Sequence, residues 1–432
     1  MKRLLLASAL TAAPFALSPA MAATCTPASP TEGATVTCTG TAAGGLTSPA
    51  NDLKVEVGTG AVIENTGGDA IRIRGLNNKV TNFGTIEGKR PVAEDGSDGI
   101  DGGHGLVVLN AGTITGTSRA IETDGKNDLF VSNSGTIKAR HKAIRNRDGL
   151  RAKLRNTGLI ESETHEGFET GDDALVENYG TIRASDDALQ VGENVTIHNY
   201  GLIESVLRGG DEDDPQDGID IDSGAIHNYA GAVIRSDDDA AIDYDVSVTA
   251  SSITNHGTIS GTVGVLTDPG NTAAQRIDNH GTIEGRDGIA VDLGAGDDEL
   301  RLFDGAILLG DSLMGSGDDR LVLGSAITDL TAGLIDGGQG TNTVQFTLLN
   351  FAAIRAVSVM DQVMSISVLD DNNDFLLTLT SWASFGFADG DYSWAQMADL
   401  AEPAPVPLPA GALLLPAALA GLGVVARRRR NA

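Results

Sequence analysis

Aromatic residues make up only 4% of this 432-residue chain, and there are just two cysteines. So few rings argue against a wide globular core and for a thin, elongated one. Two cysteines exclude a disulfide-rich scaffold, and no metal-ligand spacing involves them. Positive charge is also short: 30 Lys and Arg stand against 59 Asp and Glu, a formal net charge of −29. Part of that basic complement sits at the ends, as Lys2, Arg3 and Arg427 to Arg430. An acidic body of this kind repels polyanions, which excludes a nucleic-acid partner. Hydrophobic residues still make up 41% and recur regularly among 55 glycines, which excludes simple disorder and points to β-structure.

The ends have their own logic. Residues 1–23 combine a basic start, an apolar stretch from Leu4 to Leu17 interrupted by Pro14, and the small-residue site Ala20-Met21-Ala22. This is the pattern of a secretory signal peptide, too short for a spanning helix. Export would place Cys25 and Cys38, within an N-terminal cap over residues 24–50, where disulfides persist. Their spacing leaves open a local bridge or two free thiols, and the bridge is the expectation. At the far end a Pro-rich linker, Glu402-Pro403-Ala404-Pro405, opens the tail of residues 402–432. It leads into Val406 to Ala426, 21 apolar residues that are long enough for a transmembrane helix. Arg427, Arg428, Arg429 and Arg430 follow as a stop-transfer cluster that marks the cytoplasmic side.

Between the ends the chain repeats itself. The unit N-x-G-[TL]-I begins at Asn82, Asn110, Asn133, Asn156, Asn178, Asn199, Asn255 and Asn279, and Asn228 opens a copy with a two-residue insertion. The intervals run from 21 to 29 residues, the period of a solenoid in which each copy is one coil. Within a copy the isoleucine alternates with polar neighbours, as in a half-buried strand. A second alternating strand recurs as DAIRIR from Asp69, DALQV from Asp187, DGIDI from Asp217 and DGIAV from Asp287, with Gly, Asn and Asp at the turns. Leucine-rich repeats share the period but require fixed leucines and a helix in each copy. The sequence therefore predicts an all-β, right-handed parallel β-helix over residues 51–350, a β-rich cap over 351–401 and the C-terminal transmembrane helix. Stacking in register would place Glu87, Thr115, Lys138, Glu161, Arg183, Glu204, Arg235, Ser260 and Glu284 in one outer ladder. Its charges alternate in sign from Lys138 to Arg235, and opposite charges favour neighbours about 4.8 Å apart.

Several groups are candidates for chemistry. Gly294-Ala295-Gly296-Asp297-Asp298, Gly315-Ser316-Gly317-Asp318-Asp319 and Gly338-Gln339-Gly340 resemble glycine-rich calcium repeats, with Asp298 and Asp319 as candidate calcium ligands. The metal-free alternative is a plain Gly-Asp turn, and no other cofactor is implied. Acid pairs at Asp172-Asp173, Asp186-Asp187, Asp213-Asp214 and Asp237 to Asp239 read as solvated corners. With His104, His256 and His280 they also allow a polysaccharide lyase or glycoside hydrolase. A basic run from Lys138 to Arg155, followed by Glu161, Glu163, Glu166 and Glu169, reads as pairing between coils; the alternative is an anion-binding spot.

Val406-Pro407-Leu408-Pro409-Ala410, with the apolar segment and arginine cluster behind it, resembles the VPLPA-CTERM variant of the PEP-CTERM sorting signals. That resemblance implies an exosortase-type membrane enzyme as partner, initial anchoring in the inner membrane, and passage to the cell surface or extracellular matrix. The body, through its N-x-G-T-I repeats, early cysteine pair and G-x-G-D-D coils, resembles autotransporter adhesin passengers, although no translocator barrel follows it. The expected protein is thus an exported, structural, adhesin-like rod rather than an enzyme, with a polysaccharide or cell-surface ligand.

Overall fold

In a parallel stack of identical coils, a residue's neighbour above and below is its own counterpart, so local sequence decides which side chains meet. The computed structural model describes residues 24–91, 96–206, 216–324 and 326–401. The segment 1–23, Asp213-Asp214, the linker, Val406 to Ala410, the apolar segment and Arg427 to Arg430 lie outside them. Among the described residues no helix is long and apolar enough to cross a membrane.

The body is a parallel β-solenoid of about 13 turns. Each coil supplies three short strands, which form three faces. In one coil these are Leu175–Asn178 on the first face, Thr181–Ala184 on the second and Leu189–Val191 on the third. They pair in parallel with Val195–Asn199, Leu202–Ser205 and Ile219–Ile221 of the next coil. The N-x-G-T-I unit thus spans the corner from the first face to the second, and the Asp-led strands at residues 69, 187 and 217 belong to the third. The last of the Asp-led segments, from Asp287, is not a separate strand. It lies inside Thr282–Asp292, which, like Thr258–Thr267, runs through the second and third faces without a break.

One file of side chains per face fills the interior. The second face buries Ile86, Ile114, Ile137, Ile160, Ile182, Ile203, Ile234, Ile259 and Ile283, each on top of the last. Branched aliphatic chains suit a core this narrow, which accounts for the scarcity of rings. Outside it, the nine residues following these isoleucines are register neighbours in the order expected. Glu204 is fully buried between two arginines, pairing with Arg183 below and with Arg235 at 2.5 Å above.

The corner between the first two faces carries a continuous amide ladder. Asn156 donates to the Asn178 side chain at 2.9 Å and to the Thr181 carbonyl at 3.1 Å; its own oxygen accepts from Asn133 at 2.9 Å and from the Gly158 N–H at 3.2 Å. That meets the full capacity of a buried amide. The chain of side-chain bonds runs from Asn82 to Asn279 and stops where the next coil presents Leu302. The glycine two residues on is required by close approach: a Cβ on Gly158 would lie 2.1 Å from the Gly135 carbonyl oxygen.

At the start, Thr24–Thr26 pairs antiparallel with Thr35–Thr39, where Cys25 faces Cys38 and the two are joined by a disulfide. The parallel stack begins with Thr35–Thr39 itself, which pairs with Lys54–Val57. At the other end, Ile354–Met360, Val363–Leu369 and Asp374–Thr380 are antiparallel neighbours. The third of these also continues the third face in parallel beyond Leu334–Asp336. A five-residue helix, Trp394–Ala398, follows, closed by a Ser393/Gln396 capping box.

Replacing Asn156 with leucine leaves the Gly158 N–H without its acceptor and breaks the side-chain bonds to Asn133 and Asn178 in the interior. We expect a loss of about 3 kcal/mol, since each unpaired buried group costs roughly 1–3 kcal/mol. Asn279→Leu, at the end of the ladder, should lose less. Urea unfolding of both variants checks this, and an unchanged midpoint for Asn156→Leu would refute the energetic role of the ladder.

Candidate functional site

Along the third face the outward positions change character midway. In the early coils every carboxylate has a cation. Asp101 takes Arg72 at 3.2 Å and Arg74 at 2.6 Å; Arg119 reaches Glu122 at 2.9 Å; Lys142 lies 2.6 Å from Glu166 and 2.8 Å from Glu169. Arg145 bridges three coils through Glu122 at 3.5 Å, Asp124 at 3.1 Å and Glu169 at 3.3 Å. With Lys138 on Glu161 and Glu163, and Arg151 on Asp128, most of the basic run is engaged in pairing between coils.

Beyond Glu169 the cations stop. The outward position passes to Gln190, Asp220 and Asp243 in successive coils. Gln190 donates to Asp220 at 3.3 Å, and the carboxyl groups of Asp222 and Asp245 are neighbours beside them. Among the described residues, none of Asp187, Asp217, Asp220, Asp222, Asp243 and Asp245 forms a salt bridge. Asp187 is not a solvated corner, as the sequence suggested: it is buried, as is Asp217, because the next coil covers their turn. The Asp187 carboxylate accepts the Asp217 N–H at 2.7 Å, whereas one oxygen each of Asp217 and Asp243 is buried without a partner.

Burial first and neighbouring carboxylates second drive these acids toward the protonated form. Asp217 is pushed up to about 9, Asp220 and Asp243 to about 7, and Asp222 to about 6; Asp187 moves up strongly as well. Asp220, Asp222 and Asp245 line a cleft of about 450 Å³ together with Asp172, Glu169 and Arg147. Carboxyl groups that titrate near neutrality are chemically equipped to donate and accept protons.

The other candidates make contacts within and between coils. Asp298 accepts the Gln275 N–H at 2.7 Å, Asp319 the Asp298 N–H at 2.9 Å and Asn342 the Asp319 N–H at 2.8 Å, a ladder that ties turn to turn. Burial raises Asp298 to about 7 and Asp319 to about 6. Among the described residues no group of three or more His, Cys, Asp or Glu is arranged to hold a metal ion. His104 accepts the Asn127 N–H at 3.0 Å, and His280 stacks between His256 at 4.3 Å and Phe303 at 3.9 Å. Asp172 accepts the Glu193 N–H at 3.0 Å.

One feature went unnoticed in the sequence although its signal is there: the x of N-x-G is tyrosine at 179, 200 and 229, in three successive coils. The rings stack at the corner, and Arg155 covers the far face of Tyr179 with its guanidinium 5.7 Å from the ring centre. Rings whose faces cover one another offer no open platform for a sugar.

No protein-family model, curated protein or solved structure matches the chain.

The raised acids give the stability a definite pH dependence. Each has a folded pKa above its unfolded value near 4, so the folded state holds more protons between the two values, and stability falls as pH rises through that window. We expect the melting temperature to fall from pH 5 to pH 9. Asp217→Asn and Asp243→Asn should flatten the slope and raise the midpoint at pH 8 by a few degrees. Thermal melts across this range check it, and a flat wild-type profile would contradict the assignment.

Proposed function

We propose that the chain is an exported structural and adhesive rod of the cell surface or extracellular matrix, whose task is presentation rather than catalysis. The observation that carries this reading is the continuity of the ladders. An amide ladder runs through nine coils from Asn82 to Asn279, and a sign-alternating charge ladder through five of them from Lys138 to Arg235, which makes a stiff body with repeated outward groups. Repetition suits weak multivalent contacts, because each further engagement becomes intramolecular. The acidic surface directs those contacts toward a polysaccharide or a cell-surface ligand and away from nucleic acid. A right-handed coil, the signal peptide at 1–23, the transmembrane segment Val406 to Ala426 and sorting by an exosortase-type enzyme at Val406 to Ala410 belong to the same proposal and rest on sequence.

Intact-mass analysis of the protein from its native cell, combined with fractionation, tests the sorting. We expect loss of the segment from about Val406 onward and recovery outside the inner membrane. Retention of Arg427 to Arg430 in the inner membrane would overturn it.

One observation favours a second reading, a polysaccharide lyase or glycoside hydrolase. Asp220 and Asp243 are stacked on adjacent coils, both titrate near neutrality, and Asp220 borders the cleft. Two carboxyl groups in different protonation states are the minimum that glycoside hydrolysis requires. Incubating the protein with acidic and neutral polysaccharides decides between the two. The rod reading expects no new reducing ends and no unsaturated products. Cleavage that falls at least 100-fold in both Asp220→Asn and Asp243→Asn would establish the enzyme.

A further inference from the structure

The chain has five tyrosines, and three of them share one corner of the rod. Each follows the ladder asparagine of its coil, so the coil repeat itself stacks their rings. Tyr179 and Tyr200 have ring centres 4.5 Å apart with planes 1° from parallel; Tyr200 and Tyr229 are 3.9 Å apart at 7°. Tyr179 and Tyr200 are 43% and 41% exposed, open to a reagent arriving from solvent. The remaining two differ: Tyr244 is buried in the interior, and Tyr392 packs on Phe351 at the far end of the rod.

The hydroxyls are arranged as well as the rings. The Tyr229 hydroxyl beside it holds the Tyr200 phenol up at about 12. The Tyr229 oxygen in turn lies 3.1 Å from Nδ1 of His198. With Nδ1 unprotonated, the imidazole accepts the Tyr229 proton. A phenol gives up an electron far more readily when a base takes its proton in the same event, and here that base is within hydrogen-bond reach. Stacked, exposed phenols with a proton acceptor form a reactive group, a feature that spacing for stability alone does not require.

We propose that this corner is an oxidative cross-linking site, at which a peroxidase with hydrogen peroxide joins Tyr200 to Tyr179 or Tyr229 and staples adjacent coils. Each of the two phenols loses one electron and its hydroxyl proton. The two phenoxyl radicals couple through ring carbons ortho to the oxygens, forming one carbon–carbon bond. The ortho C–H bonds then break as the rings regain aromaticity and the oxygens are reprotonated, so the pair has lost two hydrogens. One hydrogen peroxide takes up those two electrons and two protons, its O–O bond breaks, and two waters form.

The test treats the full exported chain, at high dilution, with a haem peroxidase and hydrogen peroxide. Dityrosine fluorescence and peptide mass spectrometry give the readout. The expected product is monomeric on a denaturing gel and contains a peptide pair linking Tyr200 to Tyr179 or Tyr229, two hydrogens lighter than the sum of its parts. Tyr200→Phe keeps the ring stack but leaves Tyr179 and Tyr229 two coils, roughly 10 Å, apart. The intramolecular product should fall at least tenfold in this variant. The double variant Tyr179→Phe with Tyr229→Phe, which leaves Tyr200 alone, should lose the product equally, and Tyr392→Phe should retain it. His198→Asn should slow its formation. An unchanged yield in Tyr200→Phe, or dityrosine found only between molecules or at Tyr392, would overturn the proposal.

Discussion

A buried primary amide is tolerable only if all of its hydrogen-bonding capacity is met, and in this rod the next coil meets it. The asparagine ladder therefore works as a register gauge. A slip of one residue between coils would set Asn156 opposite Glu177 or Tyr179 instead of Asn178 and turn Leu154 of the same strand outward, so two penalties enforce a single alignment. The rest follows from that alignment. Gly158 has to be glycine because the coils meet closely at this corner, the isoleucines have to be stacked in single file, and the outer charges have to meet their counterparts above and below.

The same arithmetic explains both halves of the third face. Where cations are interleaved among the acids, as Arg72 beside Asp101 and Arg145 between Glu122 and Glu169, stacking brings opposite charges together and the ions stay paired. Where copies repeat the same sign, as in Asp220 and Asp243, stacking brings like charges together. An unpaired acid row under partial cover takes up protons instead, which links the strongest electrostatic strain in the rod to its most reactive carboxyl groups. Such a stretch weakens the body at neutral pH, whatever its function.

Stacking also repeats any side chain that the turn tolerates. Tyrosine after the ladder asparagine becomes a column of rings once it occurs in neighbouring coils. Two stacks of three lie along this corner, Tyr179 to Tyr229 and His256 to Phe303, and the two-residue insertion after Tyr229 lies between them.

By itself the sequence determined the period, the strands that carry it, the inward isoleucines, the outer charge ladder and the ladder role of the asparagines. All of these depend only on the next copy being placed in register, and the copies are alike enough to set that register locally. The export and sorting signals at the ends are likewise matters of sequence alone. Only the tertiary structure decided which acids are buried, because the cover over Asp187 and Asp217 is supplied by the following coil. It also decided that Asp298 and Asp319 bind backbone N–H groups, that Thr258–Thr267 runs through two faces as one strand, and that Gln190 is the point where cations give way to carboxylates. Those outcomes turn on how far one coil overhangs another, a distance in space that the repeat spacing does not encode.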